Sequence, residues 1–178
     1  MSSRARNAPI MTSKNIDVCL IPFTPEHLAK TFEWVSDATL QRDFLIRKKP
    51  TWDEHRRYFE KTLSDPGQKV FAIMQNGAHA GNCGLKHISL EKKEGELWIY
   101  IGDPAMRKKG LGKKALELLI GQAGTRIGLK KLIAHVADFN QAARRLYEQR
   151  GFTGSPDPAP ESDWQTHNCK VIRMELEI

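Results

Sequence analysis

Two glycines that lie one residue apart, within a cluster of basic residues, give the clearest chemical signal in the sequence. Gly110 and Gly112 stand in the segment RKKGLGKKAL, which contains four lysines and one arginine. Glycine lets backbone N–H groups approach a ligand because it has no Cβ. If a helix begins here, those amides and the helix dipole point at an anion. The segment therefore predicts a phosphate-binding loop rather than a simple turn.

The spacing of these glycines fits two nucleotide-binding patterns. Gly110 to Ala115 reads as the G-x-G-x-x-A of a Rossmann turn, and Arg107 to Gly112 reads as a pyrophosphate loop of another fold. A Rossmann turn joins its strand almost directly to the first glycine, inside a parallel βαβ unit. Here residues 103–109 intervene, and the preceding strands are predicted to be antiparallel. The second pattern is favoured, and a P-loop is excluded because no G-x-x-x-x-G-K-[ST] occurs.

His79, Cys83 and His87 are evenly spaced and are of types that bind metal ions. Side chains at this spacing meet on a helix, whereas the segment reads as a strand. The chain has no CxxC pair, and Cys19, Cys83 and Cys169 lie far apart. We therefore expect no metal and no disulfide framework, and a reducing, cytoplasmic compartment.

The elements that must position the loop follow the order β-α-α-β-β-β-α-β-α-β-β. Alternation and turn signals predict strands at residues 16–23, 70–74, 79–90, 96–102, 129–136 and 169–178. Capping residues and apolar spacing predict helices at residues 25–37, 51–65, about 110–122 and 140–151. Asn76-Gly77 predicts a hairpin, and strand 96–102 is apolar on both faces, as is typical of a central strand.

The composition is that of a globular protein. The chain has 178 residues, 40% hydrophobic and 28% charged, and a net charge of +7. Residues 1–15 lack the apolar core of a secretory signal, and we expect a disordered leader followed by one domain at 16–178. A basic surface suits nucleic acid, an anionic membrane or a polyanionic ligand. The lysines concentrate around the glycine loop, which favours a phosphate-bearing ligand over nucleic acid or a membrane.

Two motifs together resemble a known family. R-x-x-G-x-G after a strand and a D-P turn resembles the acetyl-CoA pyrophosphate loop of the GNAT superfamily of N-acetyltransferases. A second segment, HVADFNQAARRLYEQRGF, resembles the family's later motif at Asn140, Ala143, Tyr147, Gly151 and Phe152. The resemblance covers nearly the whole chain. Its front half is similar to the branch of ribosomal-protein alanine acetyltransferases and amino-sugar acetyltransferases.

This resemblance implies a fold and a donor site. The fold class would be α/β (α+β), a single GNAT domain with a mixed, mostly antiparallel sheet of about six or seven strands. Helices would cover both faces, and the fourth and fifth strands would splay apart. The acetyl-CoA pyrophosphate would lie on Arg107, Lys108, Lys109, Gly110, Leu111, Gly112 and Lys113. Its pantetheine arm would pair with the strand edge at Tyr100, Ile101 and Gly102, and Asn140 would cap its helix and contact the cofactor.

The resemblance also implies how the acetyl group moves to an amine. The amine must lose a proton to a base near the splay, and Glu96 and His135 are both candidates. His135 has the more suitable unperturbed pKa, about 6.5, whereas family members carry a glutamate at either position. The choice between them stays open. Tyr147 matches the family's acid, which protonates the CoA thiolate as it leaves.

The acceptor is not specified by any motif. The expectation is a primary amine on a small molecule, such as a nucleotide-linked amino sugar, or a protein N-terminus. Arg42, Arg47, Lys48 and Lys49 would suit a phosphate-bearing acceptor. Family members are often dimers, so a homodimer is possible. Two alternatives stay open: a degenerate GNAT domain that only binds CoA, and a basic nucleic-acid-binding protein.

Overall fold

A seven-stranded mixed sheet organises the described residues, 17–157 and 169–178, of this computed structural model. The strand order is β1-β2-β3-β4-β5-β7-β6. The strands are β1 Val18–Pro22, β2 Lys69–Gln75, β3 Ala78–Ser89, β4 Glu94–Ile101, β5 Lys131–Ala137, β6 Thr153–Gly154 and β7 Val171–Glu177. Only β4 and β5 pair in parallel within this sheet. The predicted fold class is confirmed, and β4 is the central strand.

Five α-helices accompany the sheet in the part of the chain that is described. They are α1 Leu28–Val35, α2 Ala38–Asp43, α3 Trp52–Ser64, α4 Leu111–Gln122 and α5 Gln141–Glu148. A 3₁₀ turn precedes α1, and a π-helical turn, Ala123–Ile127, follows α4. None of the described helices is long and apolar enough to cross a bilayer. The predicted leader at residues 1–15, together with residue 16 and residues 158–168, lies outside the described residues.

Several local predictions are confirmed by the cap geometry. The Thr51 hydroxyl accepts the Glu54 amide at 3.3 Å, and the Glu54 carboxylate accepts the Thr51 amide at 2.7 Å, which is the predicted capping box. Asn76 and Gly77 both have positive φ, at 48° and 78°, as a two-residue type I′ hairpin requires. Asn140 caps α5 by accepting the Ala143 amide at 3.1 Å.

The first predicted helix is wrong in its length. Residues 25–37 form a 3₁₀ turn and α1, and a separate helix, α2, occupies part of what the sequence indicated as a loop. The break lies at Asp37, whose carboxylate accepts the amides of Thr39 and Leu40 and so starts a new helix. The chain therefore turns at this point and brings Phe44 towards β4.

Apolar residues on both faces of the sheet hold the helices in place. Adjacent residues of β2, Val70 and Phe71, pack into different clusters because neighbouring strand side chains point to opposite faces. One cluster packs α4 against the sheet through Leu111, Ala115, Leu116 and Leu119. The other joins Phe23, Leu28, Phe59 and Val70, with Trp98 packed against it. The helices thus cover both faces, and β4 lies between them.

Candidate active site

A gap opens between the two central strands. β4 and β5 pair only at Glu94↔Lys131, Gly95↔Leu132 and Glu96↔Ile133 within the described sheet. Beyond Glu96, β4 continues alongside β3, whereas β5 follows β7 along its full length. The predicted splay between the fourth and fifth strands is confirmed. A small cavity of about 100 Å³, here called the reaction cavity, lies at this gap and is lined by Glu96, His135, Asn140 and Tyr147 among others.

Glu96 is a buried carboxylate with three basic neighbours. Its oxygens lie 2.9 Å from Lys86 Nζ, 3.0 Å from His135 Nδ1 and 3.1 Å from His87 Nδ1. Burial alone would raise the pKa of Glu96, but the hydrogen bond from His135 and the charge of Lys86 outweigh it and lower the pKa to about 2. Glu96 is therefore ionised at physiological pH and holds its proton too weakly to serve as an efficient base.

One ring nitrogen of His135 contacts the Glu96 carboxylate, and the other has no hydrogen-bond partner among the described residues. Its side chain is 7% exposed, and Nδ1 faces the Glu96 carboxylate. A carboxylate accepts but does not donate, so Nδ1 carries the proton and the neutral ring keeps its lone pair on Nε2. Nε2 is buried without a hydrogen-bond partner among the described residues. Buried polar atoms are seldom left unpaired, and a catalytic role is one explanation for such an atom.

Tyr147 reaches the same cavity from α5. It is almost wholly buried, and its ring packs against Phe152 at 5.3 Å between centroids. Burial, and after it the nearby charge of Glu96, raise the pKa of Tyr147 far above its usual range. The phenol therefore keeps its proton at physiological pH. Asn140, at the start of α5, lines the cavity as well.

The glycine loop begins α4. Gly110 is its N-cap with φ of 80°, a conformation that glycine adopts without strain, and Lys108 also has a positive φ of 59°. The first amides of a helix have no carbonyl partner within it, so those of residues 111–113 remain available. Lys108, Lys109 and Lys113 are exposed around them. Leu111, by contrast, is buried and anchors the helix in the core.

Arg107 joins the loop to the end of β4. Its Nε donates to the Ile101 carbonyl at 2.9 Å, and its Nη2 donates to the Gly102 carbonyl at 3.0 Å. Gly102 is needed for close packing, because an added Cβ would lie 2.0 Å from the Trp34 ring. The Tyr100 ring also meets Trp34, edge to face at 6.4 Å between centroids, and its hydroxyl accepts the Asn82 amide at 2.8 Å. The predicted strand edge and the predicted loop therefore form one continuous structure.

A larger cavity of about 590 Å³ lies beside the reaction cavity, and we call it the acceptor cavity. Residues of α1, α2, α3, the α2–α3 loop, β3 and β4 line it. Phe44, Lys86 and Trp98 line both cavities, so the two adjoin. Of the four basic residues considered for an acceptor phosphate, Lys48 lines this cavity, whereas Arg42 pairs with Asp43 and stacks over Phe139.

Sequence reasoning missed Lys86 and His87 as partners of Glu96. Lys86 lies opposite Glu96 in the β3–β4 register, an opposite-charge cross-strand pair that a correct strand alignment would have indicated. His79 bonds to Asn82 rather than joining Cys83 and His87. Across residues 17–157 and 169–178, no group of three or more His, Cys, Asp or Glu side chains is arranged to hold a metal ion.

Comparison with known proteins adds relatives to this geometry. The sequence profile described as an acetyltransferase (GNAT) domain matches residues 17–153. The human alpha/beta-tubulin-N-acetyltransferase 9 is 26% identical over 150 residues, which is 76% of this chain and 72% of that protein. Its mouse counterpart is 25% identical over 147 residues, and the match spans 61% of that longer protein.

A solved structure has the same fold. The spermidine N-acetyltransferase of Vibrio cholerae, crystallised with CoA and spermine, superposes with a TM-score of 0.81 over 90% of this chain and 95% of that one. The two sequences are 20% identical. At this identity the likeness establishes the architecture, and the chemistry of each site must be argued from the residues present.

Proposed function

Since this chain belongs to the GNAT acetyltransferase family, we propose that it transfers the acetyl group of acetyl-CoA directly to a primary amine. The resemblance inferred from the sequence is confirmed, as is the assignment to the acyltransferases. One observation carries the proposal: a buried histidine with a free Nε2 and a protonated tyrosine line the same small cavity at the β4–β5 gap. A base and an acid in one cavity are what amide formation from a thioester requires.

The donor would bind along the segment from Tyr100 to Lys113. Amides at the start of α4 and the exposed lysines around them suit a pyrophosphate. Gly112 supports this assignment, because an added Cβ would meet only Ile101 and Leu146 at an ordinary 3.8 Å. The protein's own packing therefore does not demand glycine there, whereas a ligand lying against the backbone would. The pantetheine would follow the unpaired edge of β4 towards the reaction cavity, where Asn140 lies.

His135 acts as the general base in this proposal, and Glu96 is its positioning residue. Glu96 holds the ring in the tautomer that leaves Nε2 unprotonated, and it stabilises the charged ring after proton transfer. The substrate ammonium gives a proton to Nε2, and the neutral nitrogen then attacks the thioester carbonyl. The proposal assigns the base to His135 rather than to Glu96, because a carboxyl with a pKa of about 2 is a weak base near neutral pH.

Tyr147 would complete the transfer. As the carbon–sulfur bond breaks, the thiolate takes the proton from the Tyr147 hydroxyl. Its raised pKa keeps the phenol protonated until that moment, and its burial keeps water away from the leaving sulfur. The nitrogen, which carries a positive charge after its attack, loses its second proton to the Tyr147 phenolate, and His135 then releases its proton to solvent.

The acceptor, assembly and compartment remain parts of the proposal. The acceptor is a primary amine of a small molecule or of a protein N-terminus. The relatives named above act on tubulin or spermidine, and the homodimer stays a prediction. A cytoplasmic location is supported by Cys19, Cys83 and Cys169, which are all free thiols.

Binding and turnover test the proposal separately. A ligand that binds only the folded state raises Tm, so acetyl-CoA at about 100 times its Kd should stabilise the protein by about 2.7 kcal/mol. Release of the CoA thiol in the presence of amines, with mass spectrometry of the product, measures turnover. Binding without turnover on any amine would instead identify a CoA-binding module. No Tm shift at millimolar acetyl-CoA would contradict the proposal altogether.

A further inference from the structure

We infer that the acceptor is a primary amine whose neighbouring carbon carries a large apolar group, and that the acceptor cavity holds this group. The inference rests on the proposed acetyl transfer and names the class of amine that it serves. The same chemistry occurs in a peptide that begins with a residue such as leucine or phenylalanine, and in a free arylalkylamine. Both present one amine next to one apolar body.

The walls of the acceptor cavity are mainly apolar and aromatic. Phe44 meets Tyr100 edge to face at 5.3 Å, and Trp98 stacks beside Tyr100 at 6.0 Å. Val35, Leu40, Ile46, Pro50 and Phe59 complete most of the remaining surface. A volume of about 590 Å³ falls in the range of ordinary small-molecule sites. An apolar group placed here would be removed from water on several sides.

The charges of the acceptor cavity do not suit a second cation. Lys48, Lys86 and Glu54 are its charged lining residues. The Glu54 carboxylate is already engaged by the Thr51 amide at 2.7 Å and lies 3.9 Å from Lys48 Nζ. Burial lowers the pKa of His55, which keeps that ring neutral near pH 7, although its contact with the Leu28 carbonyl opposes the shift. Because Lys86 is paired with Glu96 in turn, the lining has no excess charge, and its own carboxylate is already paired.

Acceptors with further charges are therefore disfavoured. Aromatic faces attract a cation, but Glu54 and Glu96 already pair with Lys48 and Lys86, so the distal ammonium of a polyamine would find no free carboxylate on the described walls. A nucleotide-linked sugar would need cations for its phosphates. Lys86 is paired with Glu96 at 2.9 Å, which leaves Lys48, 80% exposed, at the rim.

The geometry directs the amine of such an acceptor towards the base. Because Phe44, Lys86 and Trp98 line both cavities, an apolar body in the acceptor cavity places its amine near the opening to the reaction cavity. His135 lines the reaction cavity and not the acceptor cavity. An amine one carbon away from the apolar body can reach His135, whereas the apolar body is too large for the reaction cavity of about 100 Å³.

A matched pair of amines tests the inference. Leucinamide and glycinamide present similar α-amines and differ by one apolar side chain. Burying a leucine side chain corresponds to roughly 30- to 100-fold in binding, so kcat/KM should be higher for leucinamide by about that factor. Spermidine, corrected for its smaller fraction of neutral amine, should fall at least as far below leucinamide. Phenylethylamine and a tetrapeptide beginning with phenylalanine then distinguish a free amine from a peptide N-terminus.

A charge-reversal variant probes the cavity directly. Lys48→Glu places a carboxylate at the rim and should raise the spermidine-to-leucinamide ratio of kcat/KM by about tenfold. Lys49→Glu makes the same charge change at the next residue, which is exposed and is not part of the lining, and should leave the ratio within about twofold. Both sites are on the surface, so folding is not at risk.

The outcomes separate the inference from the proposal beneath it. Equal kcat/KM for glycinamide and leucinamide, or spermidine or an amino-sugar nucleotide as the best acceptor, would overturn the inference and leave acetyl transfer intact. Acetyl-CoA binding without turnover on any amine would overturn the proposed transfer, and this inference with it. Preference for leucinamide together with a Lys48-specific change in the ratio would support both.

Discussion

The proposed donor side and the acceptor cavity are built in different ways. The donor side, residues 100–113, is one continuous stretch whose functional groups are mostly backbone amides and carbonyls. The acceptor cavity is assembled from side chains of three helices, a loop, β3 and β4. A backbone site needs glycine at a few fixed spacings, whereas a side-chain site can be relined without changing the fold. The proposed donor side therefore leaves a recognisable sequence motif, whereas the acceptor cavity does not.

The largest effect is expected at His135 in the reaction cavity. Replacing His135 with alanine should lower kcat by about 10³-fold, because a positioned base contributes roughly 10² to 10⁴. KM for both substrates should change little, since neither binding surface is altered. His87→Asn is the matched control, because His87 also contacts Glu96 but is 75% exposed, and it should keep kcat within about threefold. Unchanged kcat in His135→Ala would assign the proton to water or to Glu96.

The Glu96 carboxylate should also stabilise the fold in a pH-dependent way. Its pKa falls from 4.5 to about 2 on folding, so its contribution is complete above about pH 4.5 and is lost as the pH falls through about 2. The difference in unfolding free energy between wild type and Glu96→Gln should shrink by about 2 kcal/mol between about pH 5 and pH 3. Urea titrations measure this, and a constant difference would contradict the lowered pKa.

Removal of the acid should have a smaller effect than removal of the base. Tyr147→Phe keeps the ring against Phe152 and should lower kcat by roughly 10²-fold without changing Tm by more than a few degrees. Tyr58→Phe removes an exposed hydroxyl at the rim of the acceptor cavity and should change kcat by less than about threefold. Equal effects of the two substitutions would mean that Tyr147 only packs.

The smallest expected effect is a change in acetyl-CoA binding alone, at the proposed donor side. Gly112→Ala adds a methyl group that the protein accommodates but a ligand against the backbone does not. Loss of one hydrogen bond to a charged group, about 1.5 kcal/mol, would weaken acetyl-CoA binding about tenfold. Gly121→Ala in the same helix has no atom within 4 Å of the added Cβ and should leave binding unchanged. Acceptor selectivity should be the same in both variants, in contrast to Lys48→Glu.

The sequence predicts the donor side because its signals are local. Within this short segment, the sequence indicates the glycine with positive φ, Gly110, the helix that starts after it and the strand that precedes it. The strand order then excludes a Rossmann turn. The roles of Tyr147 and Asn140 follow only from the family resemblance, and they stay predictions, although the structure places both residues at the reaction cavity.

The other features depend on contacts between distant segments. The hydrogen bond between Glu96 and His135 depends on the registers of β4 and β5, which no pattern within either strand reveals. The helix break at Asp37 depends on a carboxylate turning back to cap α2, which competes with the apolar spacing that favours one longer helix. The acceptor cavity depends on this helix break, because Phe44 reaches β4 only after it.

The two hydrogen bonds from Arg107 have a consequence for the thermodynamics of donor binding. They connect the loop to the carbonyls of Ile101 and Gly102, so the strand end and the start of α4 behave as one preorganised unit. Little backbone freedom is then lost when a ligand binds along it. Most of the interaction free energy is thereby available for affinity rather than for ordering the protein.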